Sequence, residues 1–399
     1  MKIAMMVRSF LETPVPNDIA YSPATVAKVV AEGLHAAGHE VTFFGPEGTS
    51  LATHVETCSM RPFFSTMSDF DAMVSATDLF TDYRFSLADS AMAGNILDRA
   101  QAGEFDIVVF NHFESALALA PRYPTVPIAY ILHDFMDGPR VETINQHSSP
   151  NQYFISISNN QRRDAPDLQY AATVYNGIDT NLFTLSEEPE DYLLFSGRIT
   201  PNKGVKEAVQ AAIQSNHRLL IAGNLSKQDM WYFDEHVKPY LDDKILFLSM
   251  LGREQLVKYY QKAKAVLMPT QWEEPFGLTA AEANACGTPV IAFKRGAVPE
   301  VVEDGKTGFI VDNSAEMVEA IAKVDLIDRR ACNKRVFENF TKEIMVENYI
   351  QVLQKIVAQH TGSGMPGVST SSTRAQNYAK SITRISKLLR KDSFRSPKK

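Results

Sequence analysis

Pro269-Thr-Gln-Trp-Glu-Glu-Pro-Phe-Gly-Leu-Thr-Ala-Ala-Glu282 is the stretch on which the fold turns. Residues 264–268 before it, Lys-Ala-Val-Leu-Met, are short, apolar and partly β-branched, which predicts a buried strand. Residues 278–286 after it are Ala-rich and stop at Gly287-Thr-Pro289, which predicts a short helix. The stretch is therefore a strand, a polar turn and a helix amino terminus. In a parallel sheet that turn lies where ligands bind, and its unpaired amides favour an anion. Two carboxylates punctuate it. Glu274 falls in the turn, and Glu282, at ~1.5 Å per helical residue, falls one to two turns below the helix start. One ligand meeting Glu274, then amides, then Glu282 has the layout of a sugar nucleotide: hexose hydroxyls, a diphosphate, ribose hydroxyls.

Glu274-Pro-Phe-Gly277, followed after seven intervening residues by Glu282, resembles the signature of retaining family 4 glycosyltransferases of GT-B fold. Gly287-Thr-Pro-Val-Ile-Ala-Phe293, Gly296-Ala-Val-Pro-Glu300 and Gly305-Lys-Thr-Gly-Phe309 fit the same pattern. The Glu pair alone would also suit an ordinary junction with two solvated carboxylates; the flanking segments argue against that. The resemblance covers most of residues 1–360 and is strongest over 176–311. It implies an α/β GT-B architecture, two Rossmann-like doubly wound parallel-sheet domains with a cleft between them.

Length and composition agree with two soluble domains. The chain has 399 residues, 45% hydrophobic and 22% charged, enough for two separate cores. Cys58, Cys286 and Cys332 are odd in number and far apart, which suits a reducing cytosol rather than a disulfide framework or structural zinc. The opening Met-Lys-Ile-Ala-Met-Met-Val meets Arg8 too soon for a signal peptide, and no apolar run is long enough for a membrane span. A cytoplasmic protein is expected. The formal charge of −7 divides into +8 over residues 361–399 and −15 over residues 1–360. An acidic body argues against nucleic acid as a partner.

Residues 2–7 predict the first strand. Ser22-Pro23 then offers a helix cap and a first-turn proline, Val26, Val29, Val30 and Leu34 mark one helical face, and residues 40–44 form the next strand. No G-x-G-x-x-G follows the first strand, which disfavours NAD or FAD. The family usually carries a Gly-Gly pair before this helix. Here the loop is Pro16-Asn-Asp-Ile-Ala-Tyr-Ser-Pro23, without glycine, so the usual acceptor-side contacts are not implied. Asp69-Phe-Asp71 has the spacing of a metal motif of the other major glycosyltransferase fold, but no strand precedes it; a loop or helix cap is the reading, and no metal is predicted. Residues 106–111 and 127–132 predict buried strands. The second ends in His133-Asp134, and family resemblance implies that His133 faces the donor sugar, holding a hydroxyl or stabilising oxocarbenium charge. His112 is weaker, with packing as the favoured role. Residues 153–157 and 172–175 continue the strands.

Residues 184–191 read as the linker and residues 192–196 as a strand opening the second domain. Gly197-Arg-Ile-Thr-Pro-Asn-Lys-Gly204 follows, without P-loop spacing, placing Arg198 and Lys203 at a strand's carboxyl end. The family uses an Arg and a Lys at this spacing on the donor diphosphate, where they can stabilise the leaving group without a metal. Residues 219–223 and 244–252 form further strand–turn units, which by resemblance flank the base. Helices are expected over 315–322, 329–340 and 342–358, the last crossing back to the first domain. Residues 361–373 read as a flexible linker. From Arg374, Ala375, Tyr378, Ile382, Ile385, Leu388 and Leu389 share one face of a basic amphipathic helix suited to an anionic membrane surface; a disordered tail, or one docked on the acidic body, is the alternative.

The expected organisation is 1–182 as an acceptor-side domain, 183–340 as the nucleotide-sugar domain, 341–360 as the returning helix and 361–399 as linker and tail. The implied reaction is retaining transfer of a hexosyl unit from a UDP- or GDP-hexose to an acceptor that the sequence does not name, with the nucleotide sugar as substrate and no cofactor. Glu274 would bind sugar hydroxyls, the amides of Phe276, Gly277 and Leu278 sugar and phosphate, Glu282 ribose, Arg198 and Lys203 diphosphate, and His133 the sugar. No carboxylate stands out as a covalent nucleophile, and the family resemblance implies a front-face mechanism. The rivals are a sugar-nucleotide 2-epimerase of the same fold and a non-catalytic sugar-nucleotide or membrane-binding protein. The Met- and Phe-rich residues 60–85 suggest packed core before an acceptor pocket or lid. A lipid-linked acceptor would account for the basic tail and place the protein on the inner face of the membrane.

Overall fold

Among the described residues, thirteen strands, all paired in parallel, divide into a seven-stranded and a six-stranded sheet. The computed structural model describes residues 1–16, 19, 21–64, 66, 69 and 79–362. Asn17, Asp18 and Ala20 of the glycine-free loop, Asp71, and the basic tail from Arg374 lie outside the described residues.

In the first sheet the chain runs β1 (Lys2–Met6), α1 (Ser22–Ala36), β2 (Glu40–Phe44), β3 (His54–Glu56), α2 (Leu79–Gln101), β4 (Ile107–Phe110), β5 (Ile128–Leu132), α3 (Gly138–Gln146), β6 (Gln152–Ser156) and β7 (Tyr170–Thr173). The spatial order is β3-β2-β1-β4-β5-β6-β7. Strands β4, β5 and β6 are buried throughout, as near-continuous apolar runs in a doubly covered sheet should be. Chain direction reverses its winding between β1 and β4, so the carboxyl ends of β1, β4 and β5 open onto the crevice of a doubly wound sheet.

Some sequence expectations need adjustment here. Ser22 is the first helical residue of α1 rather than its cap; Tyr21 precedes it, with no side-chain bond to the helix start. Strand β7 lies at Tyr170–Thr173, two residues before the expected 172–175, and its register against β6 shifts between Phe154 and Ile155. Helix α2 has no counterpart in the sequence reading. Its buried Met92, Ala93, Ile96, Leu97 and Ala100 have helical spacing, but Asp89 and Ser90 interrupt the apolar face above them. In the Met- and Phe-rich stretch, buried Phe64 stacks on Phe10 at 5.4 Å and buried Phe85 meets Phe10 and Phe63 edge-on at 5.7 and 4.6 Å, whereas Tyr83 is exposed; residues 65, 67–68 and 70–78 of the stretch lie outside the described residues.

The second sheet contains β8 (Tyr192–Ser196), α4 (Val205–Ser215), β9 (Arg218–Ala222), α5 (Met230–His236), β10 (Ile245–Phe247), α6 (Arg253–Lys262), β11 (Ala265–Met268), α7 (Leu278–Ala285), β12 (Val290–Phe293), α8 (Val298–Val301), β13 (Gly308–Val311), α9 (Ser314–Ile321) and α10 (Arg329–Asn339). Its order, β10-β9-β8-β11-β12-β13, reverses winding between β8 and β11. The two motif-bearing turns leave those two neighbouring strands. Both sheets belong to one compact unit, Met1–Val357.

Helix α11 (Lys342–Gly362) follows, and its first turns join the two sheets. Ile178 bridges Thr341, Lys342 Nζ donates to Asp179 Oδ1 at 2.8 Å, and Val346 packs directly on Gly33 of α1. Arg329, buried at the start of α10, fastens the segment entering β8. Its guanidinium donates to the carbonyls of Ser186, Gln261 and Ala263 and to Thr288 Oγ1, all at 2.7–2.9 Å. Burial lowers its pKa, and no carboxylate pairs with it among these contacts; hydrogen bonding alone carries the buried charge.

Candidate functional site

The turn after β8 and the turn after β11 are laced together although about seventy residues separate them. Gln271 N donates to Asn202 O at 2.8 Å, and Thr270 Oγ1 donates to the same carbonyl at 3.2 Å. Gly204 has φ +75°, and a Cβ there would fall 1.9 Å from Pro269 O. Only glycine permits this backbone approach. It delivers Lys203 to the second turn, where Nζ donates to Glu274 Oε2 at 2.7 Å. Trp272 Nε1 donates to the same oxygen at 2.8 Å, and Lys203 Nζ stands 4.9 Å from the Trp272 ring centroid. Glu274 is only 9% exposed, so its charge is held by one ion pair and one indole.

Gly277, with φ +98°, turns the chain into α7. The first amides of α7 have no acceptor in their own helix, an arrangement that suits an anion. Phe276 points away from them into the core, against Phe340 at 5.7 Å and Tyr175 at 6.1 Å. Its backbone, rather than its ring, is what the site can use. Leu278 opens the helix, and Glu282 lies one turn further on, half-buried.

Burial raises the Glu282 carboxyl above its ordinary range, with Arg253 and the Tyr260 hydroxyl pulling the other way. Tyr260 Oη stands 3.3 Å from Glu282 Oε2 and 3.0 Å from Ser196 Oγ, linking α7 to the end of β8. Arg198, two residues beyond Ser196, is exposed. Arg198, Lys203, Glu274 and Glu282 therefore follow the carboxyl ends of β8 and β11 and the first turns of α7.

His133 and Asp134 close β5 in the first sheet. His133 Nε2 and Asn111 Oδ1 are 3.1 Å apart. Burial, and then the neighbouring His112, hold its imidazole well below the usual histidine range, so it is neutral near pH 7. Asp134 is open to solvent on one side. Burial on its other side raises its carboxyl, while Arg140, Arg8 and Arg198 of the facing turn oppose the shift. The charge of Arg198 in the second sheet is thus felt at Asp134 of the first. Gln161 Nε2 donates to Leu132 O and Asp134 O at 2.9 and 2.6 Å, fixing the backbone on which both residues stand.

A second acid lies behind His133. Asp89 of α2, 1% exposed, accepts the Ser9 amide and hydroxyl, each at 2.7 Å, and Arg8 Nε at 3.3 Å; His112 Nε2 is 3.4 Å away. Burial alone would raise the Asp89 carboxyl, but His112, the Ser9 amide and Arg8 outweigh it and hold it at about 2. The loop after β1 is thereby pinned by a buried carboxylate. His112, which the sequence assigns to packing, is 8% exposed and also meets Ser115 Oγ.

Trp272, Tyr260, Asp134 and the Arg8–Asp89 pair were missed as site residues by sequence reasoning. Trp272 and Asp134 adjoin residues it selected, so proximity was a usable signal for them. Tyr260 and Asp89 sit inside helices distant in sequence, and nothing local marks them.

Two parallel sheets wound in this way, with the linked turns leaving neighbouring strands of the second, define a GT-B fold. A profile described as Glycosyl transferases group 1 matches residues 180–336, and one described as Glycosyltransferase Family 4 matches residues 23–182. The chain belongs to glycosyltransferase family 4. A D-inositol 3-phosphate glycosyltransferase of Mycolicibacterium smegmatis is 37% identical over 155 residues, 35% of this chain and 36% of that protein. The matched region thus spans about a third of that curated relative's length. Among solved structures, sucrose-phosphate synthase from Thermosynechococcus elongatus superposes with a TM-score of 0.71 at 20% identity, covering 90% of this chain and 100% of that one. Anabaena HepE, solved in complex with UDP-glucose, gives 0.66 at 16% identity, covering 89% and 100%. These superpositions speak for the fold. Among the described residues, no helix is long and apolar enough to cross a membrane.

Proposed function

We propose that this protein transfers a hexosyl unit, with retention, from a nucleoside diphosphate hexose to an acceptor hydroxyl. The observation that carries the reading is the Lys203–Glu274 contact, which sets a cation beside a carboxylate in the turn before α7. Arg198 and Lys203 hold the diphosphate and take up the charge that develops on it as the glycosidic bond breaks, a task two cations perform without a metal. Glu274 receives sugar hydroxyls, the amides of Phe276, Gly277 and Leu278 face sugar and phosphate, and Glu282 receives the ribose. Neutral His133 hydrogen-bonds the sugar from the opposite sheet. The bound UDP-glucose of HepE supports a nucleotide sugar as donor class. A lipid-linked acceptor would give the basic tail its purpose at a membrane surface on the cytoplasmic side.

Thermal unfolding with UDP, GDP, ADP and their hexose derivatives tests the donor half. A ligand at about a hundred times its Kd adds about 2.7 kcal/mol of native stability. The expected result is a shift with one nucleotide that disappears in Arg198→Ala and Glu282→Ala. No shift with any of them overturns the donor assignment, and product formed without an acceptor would make the enzyme an epimerase.

A further inference from the structure

The turn that carries Glu274 is joined, on its far side, to the first sheet. Glu300 at α8 reaches across with both carboxylate oxygens: Asn160 N donates to Oε1 at 2.7 Å, and Asn159 N and the Tyr175 hydroxyl donate to Oε2 at 2.9 and 2.7 Å. Asn159 Nδ2 in turn donates to the Tyr175 oxygen at 2.8 Å, so the receiving surface is itself tied together. A parallel contact comes from Glu273, the residue before Glu274. Its Oε2 accepts Gly296 N at 3.0 Å and Arg163 Nη2 at 3.3 Å. Glu274 O accepts Ala297 N at 2.8 Å, which makes residues 273–274 and the loop leading to Glu300 one backbone-linked piece. Beneath them the rings of Tyr175, Phe276 and Phe340 pack together, with Tyr175 and Phe340 edge-on at 5.5 Å.

We infer that Glu300 is a positioning residue for glycosyl transfer, latching the first sheet's Asn159–Arg163 turn and Tyr175 to the loop that supports the donor turn. The inference rests on the proposed function for its consequence, though not for its geometry. Donor groups assigned to the second sheet stay in place whether the latch is made or broken. His133 and Asp134 come from the first sheet, and their placement against Arg198 depends on the two sheets being held together. Three charge-assisted hydrogen bonds to one carboxylate are strong and directional. A displacement of about 1 Å at the reacting atoms costs about a hundredfold in rate.

The test uses the full chain with Cys58→Ser and spin labels at Asn145→Cys and Glu319→Cys, both exposed and on opposite sheets. Inter-label distance distributions are compared for this background, Glu300→Ala, Glu300→Gln and Tyr175→Phe, without ligand. Glu300→Ala is expected to add a population at longer distance, Tyr175→Phe a smaller one, and Glu300→Gln to fall between. In turnover, kcat should drop about 10–100-fold for Glu300→Ala. The donor KM and the thermal shift with UDP or GDP should hold within about threefold, because binding to the second sheet is intact. Unchanged distance distributions in Glu300→Ala and Tyr175→Phe overturn the latch, whatever the activity. If Glu300→Ala does not fold, Tyr175→Phe, which removes a single hydroxyl, decides. Absence of nucleotide binding and turnover in the unaltered protein counts against the proposed function instead, and the distances still judge the latch.

Discussion

Lys203 Nζ lies 2.7 Å from Glu274 Oε2, so the cation of one motif and the carboxylate of another neutralise each other. Glu274 is 9% exposed, and an unpaired charge there would be costly. A donor sugar and diphosphate arriving between these residues can replace the pair, phosphate for Glu274 and hydroxyls for Lys203. The contact holds the two side chains in a fixed mutual orientation.

The roles of the two partners should separate. Lys203→Met is expected to lower nucleotide affinity by about tenfold or more, read by titration with UDP and GDP, and to cost about 1–3 kcal/mol of stability. Glu274→Gln should leave nucleotide affinity nearly unchanged and reduce kcat by about a hundredfold. Equal loss of nucleotide binding in both variants would contradict the division of labour.

Glu282 should trade stability for binding. Its raised carboxyl pKa means the folded state holds the proton more tightly than the unfolded chain does. The ionised form therefore costs stability, a cost that grows as pH rises through the folded pKa and vanishes below the unfolded value near 4.3. Glu282→Gln is expected to raise the ligand-free Tm at pH 7 while weakening nucleotide binding by about tenfold. Calorimetric melts with and without UDP or GDP give both numbers, and a lowered ligand-free Tm would refute the sign.

Asp89 should behave in the opposite sense. A carboxyl held at about 2 contributes stability that is complete above the unfolded value near 3.9 and is lost as pH falls from there toward 2. Its side chain is 2% exposed, so little solvent screening reduces the effect, which is on the order of 2 kcal/mol. Asp89→Asn should destabilise by at least that amount at pH 7 and flatten the acid limb of a stability–pH curve. An acid limb of unchanged slope would show that Asp89 does not govern it.

His133 is held neutral by burial and by His112. Between pH 6 and 8 the rate should therefore show no imidazole inflection. His133→Ala is expected to reduce kcat about a hundredfold across that whole range. An inflection near 6.5 that disappears in His133→Ala would mean the residue works by titrating.

The alternation of short apolar runs with helical periods was enough to predict parallel α/β layers, because burial on both faces of a strand and one face of a helix is written in local pattern. Strands β8 and β11 and the helix from Lys342 were legible for this reason. So was the position of Glu274 and Glu282 on one turn and helix, since both belong to a single local element. Helix α2 was obscured because Asp89 faces inward, where an apolar residue would be expected. The partners of Asp89, which are Arg8, Ser9 and His112, lie on other elements. The Lys203–Glu274 pair, the Tyr260 link between Ser196 and Glu282, and Glu300 on the amides of Asn159 and Asn160 all join residues 22 to 141 positions apart. Local sequence specifies which groups stand at strand ends. Sheet order and the close backbone approach at Gly204 decide which of those groups meet, because contact across a parallel sheet depends on topology rather than on sequence spacing.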